Sequence, residues 1–201
     1  MLHLLVNPKF LHSYSVSNFP FGNYLANSLG NLLNRTVSMI IKYFDGNIPE
    51  YKGKVTEFDG ELESLANTVI KNYEILMDDL KITEAISLVN DLVSRANKYI
   101  DETTPWALAK DESKKAELES VMCHLANSIY IAGMLLKPVL VTASDKLFEQ
   151  LGVNNDLQSY ENVYNYGVVG GHKVNKGDQL FPRLDATIEV PFIQGLMAGN
   201  K

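Results

Sequence analysis

Cysteine is almost absent from this 201-residue chain, in which Cys123 is the only one. A single thiol excludes an intramolecular disulfide and a multi-cysteine zinc site. It is compatible with a reducing compartment, and we expect a cytoplasmic location. Long apolar runs are also missing, because no stretch approaches the roughly 18 residues that span a bilayer. The apolar start of the chain has no basic n-region, so we expect neither a signal peptide nor a membrane partner.

Basic residues are in deficit as well. The chain has 18 Lys and Arg against 24 Asp and Glu, which gives a formal net charge of -6. Non-specific affinity for nucleic acid comes largely from basic side chains that neutralise phosphates. Any RNA binding by this chain must therefore depend on a few local side chains or on additional parts of a larger protein.

Apolar residues recur at helical spacing along most of the chain. Within each of several stretches they fall three or four positions apart, which is the spacing of one face of an amphipathic helix. These stretches are 25–44, 62–77, 85–100, 118–136 and 142–151. Because the connections between them are short, consecutive helices are expected to be antiparallel neighbours. The sequence predicts an all-α antiparallel helix bundle.

Several residues mark the ends of these helices. Thr83 can cap the third helix, and Thr104 can cap a short helical turn that carries Trp106. Pro105 suits the first position of that turn, where the missing backbone donor costs nothing. Gly152 is expected to end the last long helix.

The pattern changes after Gly152. Tyrosines and valines at 164–169 predict a short strand, and Gly170-Gly171 predicts a turn. Residues 188–196 have the pattern of a last helical turn. We therefore expect a short irregular or β tail that packs on the bundle or on a neighbouring domain.

Several segments of the chain match one protein family, in the family's own order. The segment NYLANSLGNLLNRTVSMI at 23–40, followed by KYFDG at 42–46, resembles the first helix of the anticodon-binding domain of bacterial methionyl-tRNA synthetases, which are class I enzymes. A second resemblance is ANKYIDETTPWALAK at 96–110, and looser ones are LKPV at 136–139 with KLFEQLG at 146–152 and GGHKVNKGDQLFPRLD at 170–185. The resemblance divides the chain into a poorly matched segment 1–22, a helical anticodon-binding domain 23–152 and a C-terminal tail 153–201.

The resemblance implies binding of the CAU anticodon of methionine tRNA. It also implies a nucleotide-binding catalytic domain as a partner, which would use ATP and methionine. The two ATP-handling motifs of that domain, similar to His-Ile-Gly-His and Lys-Met-Ser-Lys-Ser, do not occur in this chain. We therefore expect the chain alone to be inactive in aminoacylation, to form no methionyl-adenylate and to hold no cofactor or metal.

Three side chains are the candidate site. Asn31 and Arg35 are four positions apart, so they lie on the same face of a helix. The resemblance implies that both contact anticodon bases and that Trp106, the only tryptophan, stacks on one. Other interpretations remain open, since a polar pair on a bundle helix is usually a solvated face and a lone tryptophan usually belongs to a core. The competing function, favoured by the negative charge, is a helical interaction or docking piece without RNA binding.

Overall fold

A computed structural model describes residues 22–181 together with 190, 191, 194 and 195. The helices are α1 (Gly22–Phe44), α2 (Asp59–Asp78), α3 (Ile82–Thr103), α4 (Pro105–Leu108), α5 (Lys115–Leu136) and α6 (Val141–Leu151). Short 3-10 helices are Glu112–Lys114, Asn155–Gln158 and Tyr160–Tyr164. The predicted all-α class is confirmed. No helix among the described residues is both long enough and apolar enough to cross a membrane.

Hydrogen bonds between helices show their relative directions. The first residue of α2, Asp59, bonds to Tyr99 near the end of α3 and to Ser120 near the start of α5. At the opposite end of the bundle, the Tyr73 hydroxyl near the end of α2 donates to the carbonyl of Leu135 near the end of α5. The helices α2 and α5 therefore run in one direction and α3 runs in the other, as expected for an up-and-down bundle.

Helix α5 lies in the centre of the molecule. Every residue from Ser120 to Leu136 is buried, and the helix packs against α1, α2, α3 and α6. The sequence pattern predicts only one apolar face, but a helix surrounded by neighbours is buried on all sides. Two of its polar side chains bond within the helix: Asn127 and Ser128 donate to the carbonyls of Cys123 and His124, each at 2.9 Å.

The helix ends confirm some predicted boundaries and correct one. Pro105 is the first residue of α4, preceded by Thr104, although Thr104 makes no capping bond through its side chain. Gly152 ends α6 in the left-handed region with φ 68°. The prediction that Thr83 caps the third helix is wrong, because α3 begins at Ile82 with Lys81 in the capping position.

The predicted strand at 164–169 is wrong. The segment contains the end of the 3-10 helix Tyr160–Tyr164 and then turns, in which Val168 N–H bonds Asn165 C=O and Gly170 N–H bonds Gly167 C=O. Because these backbone groups are used within the turns, no ladder forms along the segment. Among the described residues, β pairing is limited to one isolated bridge between Asn47 and Lys173. The irregular character of the tail is as predicted.

The described stretch of the tail, 153–181, contacts the rest of the chain at several points. His172 C=O accepts from Ile48 N–H at 2.8 Å, and Gly171 N–H donates to Ile48 C=O at 2.9 Å. The apolar core includes Val163, Val169, Val174 and Leu180. The domain limits drawn from the sequence remain a prediction. Most of the last helical turn expected at 188–196 lies outside the described residues.

Candidate nucleic-acid interface

Asn31 and Arg35 lie one turn apart on the exposed face of α1. The intervening Leu32 and Leu33 are fully buried, so the leucines fix the rotation of the helix and leave the polar pair at the surface. Ser38 and Lys42 continue the same exposed face toward the end of α1.

An ion pair links this face to the end of α3. Nη2 of Arg35 lies 3.3 Å from Oδ1 of Asp101, and the two side chains are 42% and 69% exposed. A pair this exposed contributes little to stability, about 1 kcal/mol or less. It holds Arg35 beside the part of the chain that leads into Trp106. Guanidinium has five N–H donors and this contact uses one of them, so Arg35 can bond a ligand while it is paired with Asp101.

Trp106 lies at the surface on an anchored turn. Pro105 and Leu108, the first and last residues of α4, are buried, whereas Trp106 is 44% exposed. Thr104 turns the chain with φ 42° between α3 and α4. The buried neighbours hold the backbone, so a large part of the indole is accessible for stacking.

The structure brings Arg35 to the end of α3, the helix that leads into Trp106, and places Asn31 one turn back along α1. Sequence reasoning did not identify the buried carboxylate of Asp59. Its Oδ1 accepts from the Tyr99 hydroxyl and its Oδ2 accepts from the Ser120 hydroxyl, each at 2.6 Å. Thr56 contributes its backbone N–H at 2.9 Å and its hydroxyl. Its place at a helix start is a common one for an acidic residue, but no local pattern links it to Tyr99 and Ser120.

The hydrogen bonds to Asp59 change its titration. Burial alone raises the pKa of a carboxyl group, but the bonds from Ser120, Thr56 and Tyr99 favour its charged form. The net effect lowers the pKa of Asp59 to about 2. Asp59 is therefore a permanent buried anion near neutral pH, fixed by donors rather than by a counter-ion.

His124 is the buried centre of a second cluster of polar and aromatic residues. Its Nδ1–H donates to the Ser120 carbonyl at 2.8 Å, and its Nε2 lies 4.0 Å from Oε2 of Glu63. The rings of Tyr51 and Tyr166 pack against the imidazole. Burial, followed by the hydrogen bond to Glu63, raises the pKa of Tyr51 to about 12. Over the described residues, no group of His, Cys, Asp and Glu has an arrangement that could hold a metal ion.

Cys123 is a structural thiol in this arrangement. It is fully buried in α5. Burial in apolar surroundings raises its pKa to about 12, so the reactive thiolate is scarce at neutral pH. Its role is to fill space in the core.

Comparison with known proteins decides the family. A family model described as the anticodon binding domain of methionyl tRNA ligase matches residues 48–192. The chain belongs to this family. The resemblance inferred from the sequence is therefore confirmed, and the helical bundle is the fold of an anticodon-binding domain of methionyl-tRNA ligase.

Relatives of this anticodon-binding domain are full-length ligases. The chain is 52% identical over 180 residues to the methionine–tRNA ligase of Bacillus subtilis, covering 89% of the chain and 27% of the relative. It is 52% identical over 179 residues to that of Listeria monocytogenes, covering 88% and 27%. The chain thus spans about a quarter of the length of these curated relatives. Asn31 and Arg35 precede the residues that the family model matches. The alignment with the Bacillus subtilis ligase nevertheless covers 89% of the chain, which leaves too few unmatched residues for either position to lie outside it.

Solved structures agree with this fold. The apo form of Mycobacterium tuberculosis methionyl-tRNA synthetase matches with a TM-score of 0.75 and 27% identity, covering 81% of this chain and 33% of that one. The same enzyme in complex with methionyl-adenylate matches with a TM-score of 0.74, 27% identity and coverages of 81% and 32%. The matched part of each synthetase is the size of one domain.

Proposed function

We propose that the chain binds the CAU anticodon of methionine tRNA, as the anticodon-recognition part of a methionine–tRNA ligase in protein synthesis. The observation that carries the proposal is membership of the anticodon-binding family over residues 48–192. The exposure of Asn31, Arg35 and Trp106, together with the Arg35–Asp101 contact between α1 and α3, supports these side chains as the reading site.

The polar pair supplies the groups that base recognition needs. Asn31 offers one amide donor group and one acceptor, and Arg35 offers a planar fork of donors. Side chains of this kind read the Watson–Crick edges of bases that have left the stack of an RNA loop. Because they stand one turn apart on α1, they can reach neighbouring bases.

Trp106 supplies a flat surface for one base. Stacking on an aromatic ring contributes about 1 to 3 kcal/mol per base and does not depend on which base is present. We assign the first anticodon base to Trp106. Selectivity then comes from the polar pair, and affinity comes in part from the indole.

The partners follow from the length of the relatives. The chain covers 27% of the Bacillus subtilis ligase, so we propose that a catalytic domain of the same enzyme holds ATP and methionine and attaches the amino acid. The net charge of -6 offers little general attraction for RNA. RNA binding therefore depends on the few side chains named above, together with contacts made by other parts of the larger protein.

The test separates base reading from charge. Arg35→Lys keeps the charge but loses the planar fork, and Asn31→Ala removes an uncharged reader. Binding of an anticodon stem-loop is titrated with the CAU loop and with one mismatched loop at two salt concentrations. We expect each variant to lose more affinity for CAU than for the mismatch, with the salt dependence nearly unchanged.

A control and the contrary outcomes complete this test. Asn67→Ala removes an exposed asparagine from α2 and should leave both affinities unchanged. Equal losses on both loops would mean that Asn31 and Arg35 position the RNA without reading it. No loss on either loop would favour the competing function, a helical docking piece whose α1 face is simply solvated.

A further inference from the structure

We infer that Asp59 is a positioning residue for Trp106. Its hydrogen bonds fix the end of α3 and the beginning of α5, and the segment that contains Trp106 connects these two helices. The segment 104–114 leaves the end of α3 at Thr103 and enters α5 at Lys115. Asp59 belongs to neither helix but bonds to both. The RNA part of this inference rests on the proposed function, whereas the positioning itself does not.

The two oxygens of the carboxylate hold different helices. Oδ1 accepts from the Tyr99 hydroxyl of α3, and Oδ2 accepts from the Ser120 hydroxyl of α5, each at 2.6 Å. Backbone N–H groups of Val55 and Thr56 complete the set on Oδ2 at 2.8 and 2.9 Å. Hydrogen bonds to a charged acceptor in a buried site are short and strong, so the carboxylate sets the spacing of α3 and α5.

The path from these bonds to Trp106 is short on both sides. On the α3 side, the Thr103 hydroxyl donates to the Tyr99 carbonyl at 2.7 Å, and Thr104 N–H donates to the Ile100 carbonyl at 3.0 Å. Ala107 N–H then donates to the Thr104 carbonyl at 2.7 Å and closes α4 around Trp106. On the α5 side, α4 packs directly against that helix. A shift of either helix end therefore moves the indole.

A purely structural role would lower stability without singling out Trp106. The matched comparison is between two buried tyrosines that each donate one hydrogen bond. Tyr99→Phe removes the bond to Asp59, and Tyr73→Phe removes the bond to the Leu135 carbonyl at the opposite end of the bundle. Both variants lose one buried hydroxyl. The bond to the Asp59 carboxylate is the stronger one, so Tyr99→Phe should lose more stability, and only the fluorescence and RNA-binding measurements single out Trp106.

The experiment uses Trp106 as its own probe, because it is the only tryptophan in the chain. Its fluorescence emission and its quenching by acrylamide are measured for wild type, Tyr99→Phe, Ser120→Ala and Tyr73→Phe, and each is titrated with the CAU stem-loop. We expect both Asp59-linked variants to alter the quenching and to weaken RNA binding by about fivefold, a partial loss of one stacked base. Tyr73→Phe should match wild type in both.

The outcomes separate the inference from the function on which it draws. Equal behaviour of Tyr99→Phe and Tyr73→Phe in both measurements would overturn the positioning role. If wild type binds no stem-loop, the proposed function fails, and the fluorescence comparison still decides the role of Asp59. Asp59→Asn, measured in the same way as a fifth protein, should give the largest change in quenching; if it does not fold, the comparison of Tyr99→Phe with Tyr73→Phe decides the question.

Discussion

Trp106 combines a fixed backbone with a free side chain. Pro105 and Leu108 are buried on either side of it, and Thr104 makes the turn that begins α4. Trp106 itself is 44% exposed. The residues that anchor this turn are therefore distinct from the exposed tryptophan, so Trp106 can be substituted while its anchors stay in place.

Trp106→Ala should weaken binding of the CAU stem-loop by about 1 to 3 kcal/mol, the contribution of one stacked base. The fold should lose little, because the anchoring residues Pro105 and Leu108 are unchanged. A binding titration and a thermal unfolding curve measure the two effects. Unfolding of the variant, or unchanged affinity, would assign the indole to the core or to an unoccupied surface.

Asp59 predicts a pH dependence of stability. Its pKa in the folded protein is about 2, below the value of about 4 for an unfolded aspartate. The ionised form is therefore stabilised by folding, and its contribution is complete above about pH 4 and lost as the pH falls toward 2. We expect the free-energy difference between wild type and Asp59→Asn to shrink over this range, by at most about 3 kcal/mol. A constant difference would contradict the assignment.

Contacts between residues close in the chain could be predicted from the sequence, whereas contacts between distant residues could not. The polar pair at Asn31 and Arg35 stands on one helix, so its spacing alone places it on one face. Asp59 depends on Tyr99 and Ser120, which lie 40 and 61 residues away. Local patterns contain no information on such contacts, so the buried anion appears only once the helices have packed.

Among the helices, periodicity predicted the buried faces, whereas the residues expected at helix ends were right at Pro105 and Gly152 and wrong at Thr83. The apolar stripes of α2 and α3 predicted their buried faces because a half-buried helix must repeat its contacts every turn. The end at Gly152 was predictable because glycine adopts positive φ without strain. Thr83 has a side chain that can cap a helix, but α3 already begins at Ile82, so Thr83 lies inside the helix and cannot cap it. The prediction of a strand at 164–169 was wrong because backbone groups of this segment form hydrogen bonds within turns.

Gly152→Ala tests how tightly the tail lies on α6. A Cβ atom at Gly152 would stand 2.0 Å from the carbonyl oxygen of Lys173, and the residue has φ 68°. Since the obstacle is backbone, the tail must shift in addition to the strain at positive φ. We expect a loss of stability above the 1 kcal/mol or so of dihedral strain alone. Chemical denaturation measures it.

Gly53→Ala is the matched control for this substitution. Gly53 also has positive φ, 85°, but a Cβ there would meet nothing within 4 Å. Its loss of stability therefore reports dihedral strain without a clash. Equal losses at Gly53 and Gly152 would mean that the tail does not press on the end of α6.

For the whole molecule, the question is whether the helices up to Gly152 can fold stably without the tail. The Tyr130 hydroxyl of α5 donates to the Leu157 carbonyl at 2.6 Å, and Asn127 of α5 accepts from Gly167 N–H at 2.9 Å. Two buried polar groups of the central helix thus depend on residues beyond Gly152. The sequence marked a change of pattern there, but a change of pattern does not show whether two segments share one core.

A chain shortened to end at Gly152 should lose cooperative folding. It would lack the buried side chains of Val163, Val169, Val174 and Leu180. Burying one aliphatic side chain contributes about 1.5 to 3 kcal/mol, so the four together approach the whole stability of a typical domain, about 5 to 15 kcal/mol. A chain ending at Phe181 keeps these contacts and is the control. Thermal unfolding followed by near- and far-ultraviolet circular dichroism should show a sharp transition for the control and a broad, early one for the shorter chain. If the two transitions coincide, residues 23–152 fold as an independent domain and the tail lies on a finished core.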